Sequence, residues 1–275
     1  MYTLNCKGRL LVLDKPVVMG ILNITPDSFY SGSRVEQTDV LQKAGQMIDE
    51  GATILDIGGQ STRPGSDRLT AAEELNRILP AIKSIKENYP SVFLSIDTYH
   101  ATVAKETVAA GVDLVNDISA GDMDANMLST VASLNVPFIA MHMQGTPATM
   151  QQNPQYNNVV LDVLDYLVAE VAKLRALGIK DIILDPGFGF GKTLQHNIDL
   201  MKATPLFSTL GAGVLVGVSR KRMIAELTGQ TDPGLRTAGS VAAATYAAQH
   251  GAAVLRVHDV RETVEALKVA FALNQ

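Results

Sequence analysis

Short apolar runs rich in valine, isoleucine and leucine recur eight times along the chain, each stopping at a polar or glycine-rich segment and followed by an amphipathic stretch. The runs cover 17–22, 53–57, 92–96, 112–115, 137–141, 182–184, 214–218 and 253–257, and their stops carry Asn23, Gly58, Asp97, Asn116, His142, Asp185, Ser219 and His258. Continuous apolar runs of this length read as parallel strands buried on both faces, and segments of period 3.6 between them read as crossover helices. The pattern predicts helices over 37–50, 71–88, 101–109, 125–134, 159–177, 198–202, 238–250 and 260–272. Eight such units predict an α/β fold, a (β/α)8 TIM barrel, with its chemistry where the strands end. The N-terminal piece, residues 1–15 with Lys7-Gly8 at its centre, reads as a short β-hairpin capping the bottom of the barrel.

The bulk numbers narrow this further. A barrel of this kind needs about 250 residues, so 275 residues make one domain spanning 1–275, and no linker-like tract divides them. A hydrophobic content of 47% with 19% charged residues is globular composition. No run of about 18 apolar residues suggests a bilayer span, and Met1 to Lys7 show no secretory signal. A single cysteine, Cys6, rules out an internal disulfide and fits a reducing cytoplasm. The net charge of −5 gives no basic footprint for nucleic acid. The expectation is a soluble, cytoplasmic protein with neither a membrane nor a nucleic-acid partner.

The longest non-periodic segments, 25–36, 58–69, 144–157 and 187–195, all follow strands and so fall on the active face. Asp97, Asn116 and Asp185 end three different strands there. Carboxylates held in such a mouth are costly unless a donor-rich partner satisfies them. Lys221, beyond the seventh strand, adds a cation for a ring carbonyl or nitrogen. This set matches a flat heterocycle with N–H donors on one edge and a carbonyl on the other. An internal ion pair, Asp185 with Lys221 for instance, is the alternative.

Ser61, Thr62 and Arg63, with Arg256, His258 and Asn23, form a second set suited to a polyanion. Arginine forks bind phosphate oxygens in pairs, and an asparagine carbonyl suits Mg²⁺. Here the alternative for Arg256 and His258 is a rim ion pair with Asp259 or Glu262. The stretch Asp185-Pro-Gly-Phe-Gly-Phe-Gly-Lys-Thr193 is not a Walker phosphate loop, because Pro186 stands where that loop needs its first glycine. Gly187, Gly189 and Gly191 are instead expected to let the backbone pass close to a flat ligand, with Phe190 as an apolar wall. Met141, His142 and Met143 either pack on an aromatic ring or fill the core. No metal-type spacing of cysteine and histidine occurs, which disfavours a zinc-dependent hydrolase.

Taken together, Met19-Gly-Ile-Leu-Asn-Ile-Thr-Pro-Asp-Ser-Phe29, Asp56-Ile-Gly-Gly-Gln-Ser-Thr-Arg-Pro-Gly65, Asn116-Asp-Ile118, Met141-His-Met-Gln-Gly145, Asp185 to Lys192, Ser219-Arg-Lys221 and Arg256-Val-His-Asp259 resemble the dihydropteroate synthase family nearly end to end. The resemblance implies a transferase that joins 6-hydroxymethyl-7,8-dihydropterin pyrophosphate to p-aminobenzoate and releases pyrophosphate, with Mg²⁺ as cofactor. It implies that Asp97, Asn116, Asp185 and Lys221 hold the pterin, with Arg256 stacked on its face and Met141, Phe190 and Gly217 lining the slot. It assigns Asn23 to Mg²⁺, and Asn23, Thr62, Arg63, Arg256 and His258 to pyrophosphate. Phe29, Pro64, Lys221 and Arg222 would shape the p-aminobenzoate pocket, and Asp97, Lys221 and Arg63 would serve catalysis. It further implies a homodimer and competition by sulfonamides.

Four places depart from the family pattern: Tyr30-Ser31-Gly32-Ser33 in the first loop, Gln60 for a glutamate, Tyr99-His100 for Ser-Lys, and Arg222 for a serine. Arg222 either compensates with its charge or is a solvated surface arginine. The rival from another class is a pterin-binding barrel that presents a folate for methyl transfer to a partner protein, which should lack the diphosphate grip.

Overall fold

The structure, a computed structural model, describes residues 2–24, 34–60, 68–147 and 149–274. It opens with two antiparallel strands, β1 (Tyr2–Cys6) and β2 (Arg9–Leu13). Lys7 and Gly8 between them have φ of 54° and 90°, the paired left-handed conformation whose twist suits a two-residue hairpin. One face of the hairpin, Leu4, Cys6, Leu11 and Leu13, packs with Met19, Ile54, Leu114, Ile139, Ile183, Leu215 and Val254 in a single apolar cluster. The hairpin is thus the floor of the barrel. Arg9 anchors it to Asp113, and the Asn5 N–H donates to Asp181.

The barrel strands are β3 (Val17–Asn23), β4 (Ile54–Gly58), β5 (Phe93–Asp97), β6 (Leu114–Asp117), β7 (Phe138–Met141), β8 (Ile182–Asp185), β9 (Gly213–Val216) and β10 (Val254–Val257). All pair in parallel, and β10 closes on both β9 and β3, giving a closed eight-stranded barrel. The helices are α1 (Arg34–Asp49), α2 (Ala71–Asn88), α3 (Ala101–Ala109), α4 (Met127–Leu134), α5 (Val159–Ala176), α6 (Leu194–Lys202), α7 (Thr204–Phe207), α8 (Arg222–Thr228), α9 (Thr237–Gln249) and α10 (Val260–Leu273). The strand faces turned away from the interior and the inner helix faces share the main core, from Leu22, Ile57 and Leu94 to Leu174 and Leu255. No helix among the described residues is long and apolar enough to cross a membrane.

Two helical details differ from the sequence pattern. α6 starts at Leu194 rather than 198, because Thr193 accepts from the His196 N–H while His196 Nδ1 accepts from the Thr193 N–H. A histidine in the place usually held by glutamate or glutamine disguises this reciprocal cap. α7 and α8 are additional helices, the second stopped by Gly229 at φ 75°. They have four and seven residues, too few for a periodicity to stand out.

The alternation of strand side chains locates the site. Met19, Ile54, Leu114, Ile139, Ile183, Leu215 and Val254 face inward in the buried floor cluster. Two residues further along the same strands, on the same face, stand Ile21, Asp56, Asn116, Met141, Asp185, Gly217 and Arg256. One side-chain repeat therefore turns the barrel interior from apolar to polar.

Candidate active site at the barrel mouth

Arg256 is the hub of this polar layer. Its Nε donates to Asp56 Oδ2 at 2.6 Å and its Nη2 donates to Asp97 Oδ2 at 2.6 Å. Asn116 Nδ2 donates to the same Asp56 oxygen at 3.1 Å. Asp97 and Asn116 are register neighbours on β5 and β6, so three strand ends and one buried arginine form a continuous network. Gly217 lies beside the arginine stem, where a Cβ would stand in ordinary contact, 3.7 Å from Arg256 Cβ. The rim ion pair considered for Arg256 does not form: Asp259 is taken by Arg220, at 2.5 Å and 3.1 Å.

Across the mouth, Asp185 Oδ1 accepts from the Gly187 N–H at 2.7 Å. Among the described residues no donor reaches its other oxygen, or Asp97 Oδ1. Lys221 is not ion-paired with Asp185. Its Nζ donates to the Phe188 carbonyl at 2.6 Å and lies 4.7 Å from the centre of the Phe190 ring. Phe190 and Met143 pack with Met141, Tyr99, Ile118 and Met123 in a small apolar cluster separate from the main core. The mouth is thus a polar floor beside an apolar wall.

The charges are not balanced internally. Burial pushes the Asp97 carboxyl above its ordinary value, against the opposing pull of Arg256 and with Asp56 adding to the rise. Asp185 is raised by burial too, opposed by Lys221 and the Gly187 N–H. Burial lowers Lys221 to about 8 although Asp185 works against it. For Arg256 burial pulls down, but Asp56 and Asp97 outweigh it and hold the guanidinium above its usual range. Groups whose charged forms are disfavoured by desolvation gather at sites that receive a partner. Here the acceptors outnumber their donors, and an incoming N–H edge would relieve them.

Asn23 and His258 stand at the same end of the barrel. The Asn23 side-chain oxygen adjoins Gly58, where a Cβ would approach it to 3.3 Å. His258 Nδ1 is 3.1 Å from Ser219 Oγ, and burial, reinforced by Arg220 and Arg256, lowers its pKa to about 4. At neutral pH the ring is therefore an uncharged hydrogen-bonding group rather than a cation. No cluster of three acidic, histidine or cysteine ligands exists among the described residues. A lone amide oxygen beside a glycine does fit Mg²⁺ carried mainly by substrate phosphates, a cation that keeps few protein ligands and prefers oxygen.

Phe29, Thr62, Arg63 and Pro64, as well as Ser31 and its neighbours, fall outside the described residues. Arg222 is 83% exposed in its side chain and paired with Glu226 at 2.6 Å, which makes it a surface arginine here. Gly187 and Gly191 do not make room for a ligand. A Cβ on Gly187 would lie 1.8 Å from the His142 carbonyl, and one on Gly191 2.6 Å from that of Gln144, so both let the loop after β8 press on the chain after β7. Gly189 alone faces a site residue, the Lys221 stem, at 3.3 Å.

Among the buried charges that sequence reasoning missed, two border the site. Asp56 is 0% exposed, and Lys192, 4% exposed, donates to His142 Nδ1 at 3.0 Å and to the Phe190 carbonyl at 3.0 Å. An acid inside an apolar strand run was the available signal for Asp56. The departures at 60 and 99–100 prove to be coupled. Gln60 Nε2 donates to Tyr99 Oη at 2.6 Å, Gln60 Oε1 accepts from the Leu69 N–H at 3.3 Å, and His100 Nε2 meets the Leu69 carbonyl at 3.1 Å.

Comparison with known proteins agrees with this geometry. The family described as pterin binding enzyme matches residues 19–258. Dihydropteroate synthase of Neisseria meningitidis serogroup C is 46% identical over 97% of this chain and 96% of its own length. The solved structure of the Xanthomonas albilineans dihydropteroate synthase in complex with 7,8-dihydropteroate is 41% identical with a TM-score of 0.90, covering 99% of each chain. That of the Yersinia pestis enzyme with a sulfonamide drug is 40% identical with a TM-score of 0.93, also covering 99% of each. The chain belongs to the pterin-binding enzymes and, among them, to the dihydropteroate synthase family.

Proposed function

We propose that this protein condenses 6-hydroxymethyl-7,8-dihydropterin pyrophosphate with p-aminobenzoate to give 7,8-dihydropteroate and pyrophosphate, a step of folate biosynthesis. The observation that carries the reading is the polar layer itself: Asp97, Asn116 and Asp185 offer acceptors on one side, and Lys221 offers a donor on the other. The pterin's amino and ring N–H groups match the first and its carbonyl matches the second. Met141 and Phe190 give the ring an apolar face. Arg256, backed by Gly217, covers the opposite face and reaches the leaving group, and Asn23 and His258 take diphosphate oxygens. A neutral His258 donates to phosphate, and the anion's arrival would raise its pKa toward protonation.

In the reaction the exocyclic C–O bond breaks with its electron pair leaving on diphosphate. The dihydropterin methylene shares the positive charge with the ring, and the arylamine nitrogen then forms the C–N bond and loses its proton. Asp97, already desolvated and only partly neutralised by Arg256, stabilises the ring cation. Bound Mg²⁺, held by Asn23 and the phosphates, would add charge neutralisation for the departing diphosphate. No protein nucleophile is needed. We assign Thr62 and Arg63 to the diphosphate, Arg63 also assisting the departure, and Phe29, Pro64, Lys221 and Arg222 to the p-aminobenzoate pocket. Arg222 would have to leave Glu226 for that role.

We also propose a cytoplasmic homodimer; the lone buried thiol of Cys6 fits the first part. Apolar side chains exposed on α10, Val269 at 61% and Leu273 at 81%, fit the second. The methyl-presenting alternative finds no support in the relatives described. Pyrophosphate release by purified protein tests the activity. It should require pterin pyrophosphate and Mg²⁺ and slow sharply when p-aminobenzoate is withheld. Methyl transfer without condensation would overturn the proposal.

A further inference from the structure

We infer that Asp56 is a positioning residue that fixes which end of the Asn116 amide faces the substrate, and so makes the pocket selective for an N–H edge. The inference rests on the pterin reading of the same site. Asp56 Oδ2 accepts from Asn116 Nδ2 at 3.1 Å and from Arg256 Nε at 2.6 Å. A carboxylate only accepts hydrogen bonds, so the amide must give Asp56 its NH2 group. That leaves Asn116 Oδ1 for the ligand, and no donor among the described residues reaches it. With Asp97 Oδ1 and Asp185 Oδ2 the floor then presents acceptors only.

Reversed, the amide would set its own N–H groups against the N–H edge of the ring. Asp56 is completely buried, its Oδ1 has no partner, and its position on β4 is one side-chain repeat below the mouth. It touches the substrate only through Asn116 and Arg256. A buried carboxylate of this kind is a costly group to keep, and a purely structural anchor for Arg256 would leave the polarity of Asn116 without consequence.

The test uses the full-length protein, 6-hydroxymethylpterin as the calorimetric probe, and thermal melting to establish that each variant is folded. Both donors share one Asp56 oxygen, so Asp56→Leu removes their common acceptor and frees the Asn116 amide to turn. Pterin affinity should fall by about tenfold or more. Adding Asn116→Asp puts acceptor oxygens at both ends of that side chain, so Asp56→Leu/Asn116→Asp needs no neighbour to set its polarity and should return to within about threefold of wild type.

Asp56→Leu that binds normally overturns the inference, as does a folded Asp56→Leu/Asn116→Asp that binds no better than Asp56→Leu alone. If Asp56→Leu does not fold, the double variant and a neutron structure of the wild type with the probe decide. Asn116 Nδ2 deuterons on Asp56 support the inference, and deuterons directed at the ring overturn it. Wild type that fails to bind the probe removes the pterin reading and this inference together, whereas the variant outcomes remove this inference alone.

Discussion

Glu74→Gln should remove a pH-dependent weakness that lies directly under the site. Glu74 on α2 is 1% exposed, its Oε2 accepts from Thr98 Oγ1 at 3.0 Å, and its Oε1 has no partner. Gly59 presses on it from above, since a Cβ there would stand 3.0 Å from Glu74 Cγ. Burial pushes this carboxyl from 4.5 up to about 7, opposed by the Thr98 hydrogen bond and helped by the nearby Asp97. A group whose folded-state pKa is raised contributes stability that is fully present below its unfolded value. That stability is lost as pH rises through the folded value, here between 4.5 and about 7.

The corresponding free energy is about 3 kcal/mol. Glutamine is nearly isosteric and keeps the oxygen that Thr98 needs. The cost of its unpartnered NH2 is the same at every pH and cancels in a difference of differences. Urea unfolding of wild type and variant at pH 4.5 and pH 8 should show the variant gaining about 2–3 kcal/mol relative to wild type on going to the higher pH. A difference that is flat across this range, or that falls, would refute the reasoning.

Asp185→Ala should weaken binding of 6-hydroxymethylpterin by about 1–3 kcal/mol in calorimetry, the cost of stranding a donor in a buried site; unchanged affinity would move the ring elsewhere. Tyr99→Phe should cost about 1 kcal/mol of stability by removing the partner of Gln60. In a double-mutant cycle with Gln60→Ala, urea unfolding should give a coupling of about 0.5 kcal/mol or more. Strict additivity would mean that the two departures from the family pattern are independent.

The barrel was legible because its signals are redundant. Eight apolar runs with polar stops leave one architecture, and the Lys7-Gly8 turn marks the hairpin. The gathering of polar side chains at the mouth was legible for a related reason: Asp97, Asn116, Asp185, Lys221 and Arg256 are polar residues at or beside strand ends. What the pattern hid were relations rather than residues. No spacing says that Asp259 pairs with Arg220 and leaves Arg256 to Asp56 and Asp97, because that choice depends on which side chains the closed barrel brings within 3 Å. Asp56 escaped notice because it interrupts an apolar run, where a single acid is easily absorbed into the strand. The glycines after β8 were misjudged because a need for close approach is visible in the sequence, but the partner approached is not. That partner is backbone at His142 and Gln144.

The most direct test of the account is a crystal structure of the protein with 6-hydroxymethyl-7,8-dihydropterin pyrophosphate and Mg²⁺. The account predicts the N–H edge of the ring on Asp97, Asn116 and Asp185, its carbonyl on Lys221, and the diphosphate beside Arg256, Asn23 and His258. A ring bound with its carbonyl toward Asp185, or a diphosphate seated among the carboxylates, would contradict it.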